Sequence, residues 1–336
     1  SSTLSTLDLG CQLFHGIIPP EIGSLASLSY LDLSFQAQGP QNIYNKNDSA
    51  HVLSGPIPNE LWSLPHLSHL DLGSNSISGS ISTDVGHCTS LVNLYLGTNN
   101  LTGEVPSSLR NLTLLKALDL SSNTKLHSLP PSDWVPSFVG LQSLDISLCS
   151  FSGPFPSWVR YLTNLSSFTL TGNHFSGEIP EWAWRIAKNL LDFSNNKFNN
   201  TLACDTGPVP HTSLTSFDVS YNGDITGTIP CFVANLTSLI TLSFAGNSLY
   251  GPIPGVFGNL RELQTLDLSE NQFDGMLPSS MQNLHSLVSL DLDTNLLSPQ
   301  EVPSFLLRLP SMVRLHLSNN NFTAISIPND QLVGNS

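Results

Sequence analysis

Aspartate recurs in this 336-residue chain at a spacing that invites a catalytic reading. The centre of a repeated triplet of the L-D-L type is Asp8, Asp32, Asp71, Asp119, Asp145, Asp192, Asp218, Asp267 and Asp291. Tyr95, Thr169, Ser243 and His316 hold the same slot elsewhere. If the triplets are strands stacked side by side, Asp119 and Asp145, or Asp267 and Asp291, stand about 5 Å apart, near the separation of carboxylates in a retaining glycosidase. General acid catalysis also needs a cleft that raises one pKa. A ladder present in most repeats follows from the scaffold, so no catalytic residue is assigned and the chain is not read as an enzyme. Ten histidines show no metal spacing. Cys11, Cys88, Cys149, Cys204 and Cys231 contain no C-x-x-C, and neither H-E-x-x-H, G-x-S-x-G nor a phosphate-binding G-x-x-x-x-G-K-[ST] occurs. No cofactor or metal is expected.

The elements that position these side chains are repeats. LITLSFAGNSLYGPIPGVFGNLRE (239–262) is followed without a gap by LQTLDLSENQFDGMLPSSMQNLHS (263–286). Taking the first apolar residue as marker, thirteen units start at Leu4, Leu28, Leu67, Leu91, Leu115, Leu141, Leu165, Lys188, Leu214, Leu239, Leu263, Leu287 and Met312. All steps but one lie between 23 and 26 residues; the exception is 39. A period of this size marks a solenoid. Eight residues after each marker comes an Asn slot, filled by asparagine in ten units and by Gln12, Gln36 and Cys149 in the others. L-x-x-L-x-L predicts one short strand with its leucines inward. The Asn is expected inside, bonded to backbone at the turn leaving the strand. L-x-G-x-I-P then supplies a bend and a proline that starts the return path. Segments such as 106–113 and 278–286 are expected to form about one helical turn each, held by packing.

These features resemble the leucine-rich repeat, and the L-x-G-x-I-P half resembles its plant-specific class, with the best local matches at 100–123 and 174–180. The resemblance covers nearly the whole chain and is specific for fold. It implies an α/β repeat solenoid: a right-handed leucine-rich repeat superhelix with a parallel concave β-sheet, a short second sheet, and short helical or 3-10 turns on the convex side. The expected domain organisation is a single array of about thirteen repeats over 1–336. The long step is read as a loop-out at 37–52, and both ends are expected to be truncated, since a bare terminal repeat leaves its core face wet.

Composition narrows the partners. Charged residues are 11% of the chain, and 25 acids against 11 bases give a formal charge of −14, which argues against nucleic acid. No run of about 20 apolar residues occurs, so any membrane attachment is expected through segments absent from this chain. Seven N-x-S/T sequons, at Asn47, Asn100, Asn111, Asn164, Asn199, Asn235 and Asn321, favour a glycosylated chain in the secretory pathway, extracellular or at the cell surface.

Deviations from the repeat are where specificity is expected. Tyr30, Phe35, His69, Tyr95 and Tyr221 put rings on outward positions where Ser or Thr is usual, and rings supply contact area at low entropy cost. Four of them cluster over repeats two to four, beside the loop-out. Asp267, Glu270, Asp291 and Asp293 form an acidic patch near the other end. Arg314-Leu-His316 resembles the R-x-R pair with which some receptors of this family hold a peptide's terminal carboxylate. The histidine departs from that pattern, so the role is not carried over. Cys204 and Cys231 each fall two residues after an equivalent apolar position (Leu202 and Ile229), which places stacked neighbours near disulfide range. Cys149 is expected to be a buried thiol. Trp182 and Trp184, just before the irregular eighth repeat, are expected to cover the outer face.

The resemblance implies the ectodomain of a receptor-like protein or receptor kinase in plant defence signalling, binding a peptide, protein or elicitor through concave face and flank, with a co-receptor as further partner. Two other readings stand beside it. One is a soluble inhibitor of a microbial cell-wall-degrading enzyme, similar to the polygalacturonase-inhibiting proteins. The other is a binder of polysaccharide or ice surfaces.

Overall fold

The computed structural model describes residues 3–12, 14–34, 52–130, 137–202 and 213–327. The chain divides into two compact units, Ser1–His174 and Phe175–Ser336. In the first, seven strands follow one another in parallel: Thr6–Asp8, Tyr30–Asp32, His69–Asp71, Asn93–Tyr95, Ala117–Asp119, Ser143–Asp145 and Ser167–Thr169. In the second, six do so: Leu190–Asp192, Ser216–Asp218, Thr241–Ser243, Thr265–Asp267, Ser289–Asp291 and Arg314–His316. Three residues is short for a strand. Backbone bonds beyond it lengthen the ladder, as where Leu33 N–H donates to Asp71 O at 2.8 Å and Leu72 N–H to Tyr95 O at 2.9 Å. In the interior repeats the central residue of each strand is buried and its neighbours are mostly half-exposed, as the alternation L-x-L requires.

The Asn slot works as expected. Asn123 is fully buried. Its Nδ2 donates to Leu96 O (3.0 Å), Leu120 O (3.0 Å) and Ser121 O (3.2 Å), while Oδ1 accepts from Leu101 N–H at 2.9 Å. One side chain thereby ties two consecutive repeats together, and neither its donors nor its acceptor is left dry. Cys149 has one thiol hydrogen for the same task and faces Leu120 O and Ser147 O at 3.4 Å each. It is a buried free thiol, and burial pushes its pKa up to about 12.

The residue just before the Asn slot is held left-handed in nearly every described repeat, although few of these residues are glycine. Ser74, Thr98, Ser122, Leu148, Asn195, Tyr221, Glu270, Thr294 and Asn319 have φ between 51° and 56°. That conformation costs an L-residue about 1 kcal/mol or more. It is held because the N–H bonds onward to the next repeat, as Ser74 does to Gly97 O at 2.9 Å and Tyr221 to Ala245 O at 2.7 Å.

The return path is a 3-10 helix of five residues in most described repeats, for example Asn59–Ser63, Ser107–Asn111, Gly255–Asn259 and Ser279–Asn283. Each of these four follows a proline with φ between −67° and −73°. The expected helical turn is thus a 3-10 turn, closed within the repeat by a bond such as Leu112 N–H to Leu109 O at 3.1 Å.

The second layer of strands forms several short sheets rather than one. The first unit contains a five-stranded sheet of Gly16–Ile17, Leu53–Gly55, Ser76–Gly79, Asn100–Glu104 and Lys125–Ser128, with a register shift after Leu126. The second unit has a four-stranded sheet (Thr201–Leu202, Thr226–Gly227, Ser248–Pro252, Gln272–Asp274) and a two-stranded one (Gln300–Val302, Phe322–Ile325). The close approach is clearest at Gly227, with φ 94°, where a Cβ would lie 1.8 Å from Leu202 O. The irregular eighth repeat loses the glycine, and Asn200 replaces it by bonding both backbone groups of Ile179, Nδ2 to O at 2.8 Å and N–H to Oδ1 at 2.5 Å.

Trp184 corrects an expectation. It does not cover the outer face but is buried, with its ring 5.5 Å from Phe217, 6.0 Å from Phe193 and 6.1 Å from Phe232. The indole packs against rings of the two following repeats, which buries its apolar area in the interior. Trp182 is half-buried.

Candidate functional site: the outward face of the strands

The aspartate ladder is first a structural device. Each carboxylate accepts the backbone N–H two residues on, so that the chain turns directly after the strand. Asp8 takes Gly10 (3.1 Å), Asp32 takes Ser34 (2.8 Å), Asp71 takes Gly73 (2.8 Å), Asp119 takes Ser121 (2.8 Å) and Asp267 takes Ser269 (3.0 Å). Serine at the second position adds its hydroxyl, as Ser269 Oγ does to Asp267 Oδ1 at 2.6 Å. Burial pushes Asp71 and Asp218 up to about 6, against the bonds from Gly73 and Ser220 that favour the charged form. In both, the first oxygen is engaged by the residue's own turn.

Three of the predicted rings meet. The strand register sets Tyr30 opposite His69 and Asp71 opposite Tyr95. The Tyr30 and His69 rings stack at 4.2 Å with 3° between planes, and His69 meets Tyr95 at 5.7 Å and 60°. All three are half-buried. Asn93 Nδ2 lies 3.4 Å from His69 Nδ1, within hydrogen-bond reach of the ring. Burial lowers the His69 pKa, in opposition to the charges of Asp32 and Asp8. Burial first, and then Asp32, Asp8 and Asp71, raise that of the Tyr30 phenol. Phe35 and the predicted loop-out at 37–52 lie outside the described residues, save Val52.

Tyr221 stands apart from that cluster, 47% exposed, in the second unit. Its ring lies over Gly246, where a Cβ would come within 2.3 Å of Tyr221 Cδ1. Burial and then the charges of Glu270, Asp267, Asp291 and Asp218 raise its pKa. The acidic patch is partly engaged within the protein. Asp291 Oδ2 meets His316 Nδ1 at 2.8 Å, and Asp293 accepts from Ser318 Oγ and from Thr294 Oγ1, bonds that lower its pKa. Glu270 is exposed. Arg314 Nε donates to Ser289 Oγ at 3.4 Å.

Cys231 is disulfide-bonded, whereas Cys11, Cys88 and Cys149 are free. Cys204 lies outside the described residues, as does the sequon at Asn47. The other six sequon asparagines are exposed, and none falls within a strand of the aspartate ladder. Among the described residues no group of three His, Cys, Asp or Glu side chains is arranged to hold a metal ion. No helix there is long and apolar enough to cross a membrane.

A solenoid of parallel three-residue strands, asparagine-tied turns and proline-led 3-10 returns defines the leucine-rich repeat class. The family described as Leucine rich repeat matches residues 66–88, 90–112 and 140–162 in one form and 212–273 and 253–297 in another. Among solved structures, the chain is similar to the Arabidopsis receptor kinase HAESA in complex with the peptide hormone IDA and the co-receptor SERK1. Identity is 29%, TM-score 0.71, and the match covers 96% of this chain and 59% of that one. A TDR receptor matches at 25% identity and TM-score 0.75, covering 96% and 63%. A plant ice-binding protein matches at 25% identity and TM-score 0.54, covering 78% and 76%. The chain thus spans less than two thirds of either receptor chain. Among curated proteins none matches it by sequence. Leucine-rich repeats are thus present in both units of the chain, and the solved structures it is similar to include plant receptors.

Proposed function

We propose that this chain is one leucine-rich repeat array of a receptor ectodomain, outside the cell, which binds a peptide or protein ligand on the outward face of its strands. The observation that carries the reading is the Tyr30–His69–Tyr95 contact series, three rings from three consecutive repeats on positions the scaffold does not require to be aromatic. Half-exposed rings fixed by stacking lose little entropy when a partner covers them. The six described sequons support the same face, because glycans there leave the strand positions bare. Recognition, not catalysis, is the role, with signalling passed to a co-receptor or kinase. The Cys204–Cys231 disulfide belongs to this proposal as a brace between adjacent repeats.

Likeness to a plant ice-binding protein favours a second reading, adsorption to a regular surface through rows of Ser, Thr and Asn. The rings and carboxylates of the strand face interrupt such rows, which places it second. A peptide library selected against the chain, with Tyr30, Phe35, His69 and Tyr95 all changed to Ser as counter-selection, tests the first reading. Enriched peptides should lose at least a hundredfold in affinity on the variant, and equal affinity overturns the site. Inhibition of ice recrystallisation by the wild-type chain would move the second reading ahead.

A further inference from the structure

The ring series has a chemical preference, and the following inference rests on the reading of it as the binding site. We propose that Tyr30, His69 and Tyr95, with the carboxylates of Asp8, Asp32 and Asp71, form a subsite for a cationic side chain, guanidinium or ammonium, of a peptide ligand.

The three aspartates sit on consecutive rungs, Asp8 opposite Asp32 and Asp32 opposite Asp71, and Asp32 and Asp71 share their strands with Tyr30 and His69. Each uses Oδ1 to cap its own turn. Among the described residues, the second oxygen of each has no hydrogen-bond partner and no Lys or Arg forms a salt bridge with it. Among the described residues the negative potential is therefore not cancelled, and it reaches the rings: these carboxylates are among the causes that raise the Tyr30 phenol. His69, in contact with the Tyr30 and Tyr95 rings, does not supply the missing cation, since burial lowers its pKa. A cation over an aromatic face is attracted by the ring quadrupole. A planar guanidinium can lie against the Tyr95 or Tyr30 ring while its fork reaches a carboxylate. A neutral sugar or a proline ring can use the ring faces but gains nothing from the three charges, and an anionic ligand is repelled by them.

The test uses residues 1–336 with carbon-13-labelled histidine and three probes: acetyl-Gly-Arg-Gly amide, its neutral citrulline isostere, and methyl β-glucoside. The arginine probe should shift the His69 ring resonances saturably and bind at least tenfold more tightly than the citrulline probe. The contrast should vanish in the Asp32→Asn/Asp71→Asn variant, where the side-chain oxygen that caps the turn is kept, and persist in Tyr30→Phe. Equal binding of arginine and citrulline probes, or of the glucoside alone, overturns the cationic preference while leaving the rings as a binding site. Absence of any saturable shift overturns both. Persistence of the contrast in the double Asn variant also overturns the assignment of the carboxylates. Should that variant misfold, the arginine–citrulline comparison on the wild-type chain decides.

Discussion

The tandem repeats at 239–286 and the ringed repeats two to four share one backbone plan and differ in what their outward side chains do. In the tandem repeats, Asp267 accepts both the N–H and the hydroxyl of Ser269, and Asn271 bonds Phe244 O, Ser269 O and Leu249 N. Their strand side chains Thr241 and Thr265 are small and alike. In repeats two and three the same positions hold Tyr30 and His69, in repeat four Tyr95 takes the aspartate slot instead, and these rings touch each other across repeats. Stability and recognition are thus separated by position within one repeat: slots that point inward or cap a turn carry the fold, and outward slots are free to vary.

That separation can be broken most forcefully at Asn271. Asn271→Ala removes a buried hub and leaves several backbone groups dry, so we expect a loss of about 4 kcal/mol in urea unfolding. Asn271→Cys, which copies the natural exception at Cys149, should lose about half as much. Equal costs would mean that the thiol bonds of Cys149 do not stand in for the amide.

A smaller effect of opposite sign is expected at Asp218. Its carboxyl is held at about 6, above the unfolded value, so its contribution favours folding at low pH and is lost as pH rises through 6. Asp218→Asn keeps the oxygen that accepts from Ser220 N–H and removes the charge. It should stabilise the chain by about 1–2 kcal/mol at pH 8, after discounting for partial exposure, and by nothing measurable at pH 4. A constant difference across that range would show that charge is not the cause.

The smallest change in stability, under about 1 kcal/mol, is expected for His69→Ser, because surface substitutions away from caps and core move little. Loss of ligand affinity with retained stability in that variant would sharpen the contrast; a large drop in unfolding free energy would place the rings with the scaffold. Glycosylation offers a graded check as well. Asn164 already donates its amide to Val139 O at 3.0 Å, so mass spectrometry of the secreted chain should find lower occupancy there than at Asn111 or Asn235.

The repeat frame was legible because its signals are local and recur: the Asn slot and the inward leucines repeat with the period of the chain. The Tyr30–His69 stack was legible for the same reason, since both occupy one slot of adjacent repeats. Tyr95 sits two positions further along its strand, and only coordinates show that its ring reaches His69. Trp184 was misplaced because its partners Phe193, Phe217 and Phe232 belong to two later repeats, a long-range packing fact that the period does not encode. The left-handed position before the Asn slot carried no signal at all. Serine, threonine, leucine and tyrosine fill it, and the bond onward to the next repeat holds each there.

That position has a consequence for how such chains can be rearranged. Leu148, 52% exposed, lies over Gly172, and Tyr221 lies over Gly246; a Cβ on either glycine would fall within 2.6 Å of the side chain above it. A repeat with a bulky residue there tolerates only a particular successor, so the repeats obey an adjacency grammar. Duplicating 214–238 in place would set tyrosine upon tyrosine, whereas duplicating 263–286 violates no such rule. Recombination between repeats is therefore free in some junctions and closed in others, and the glycines mark which.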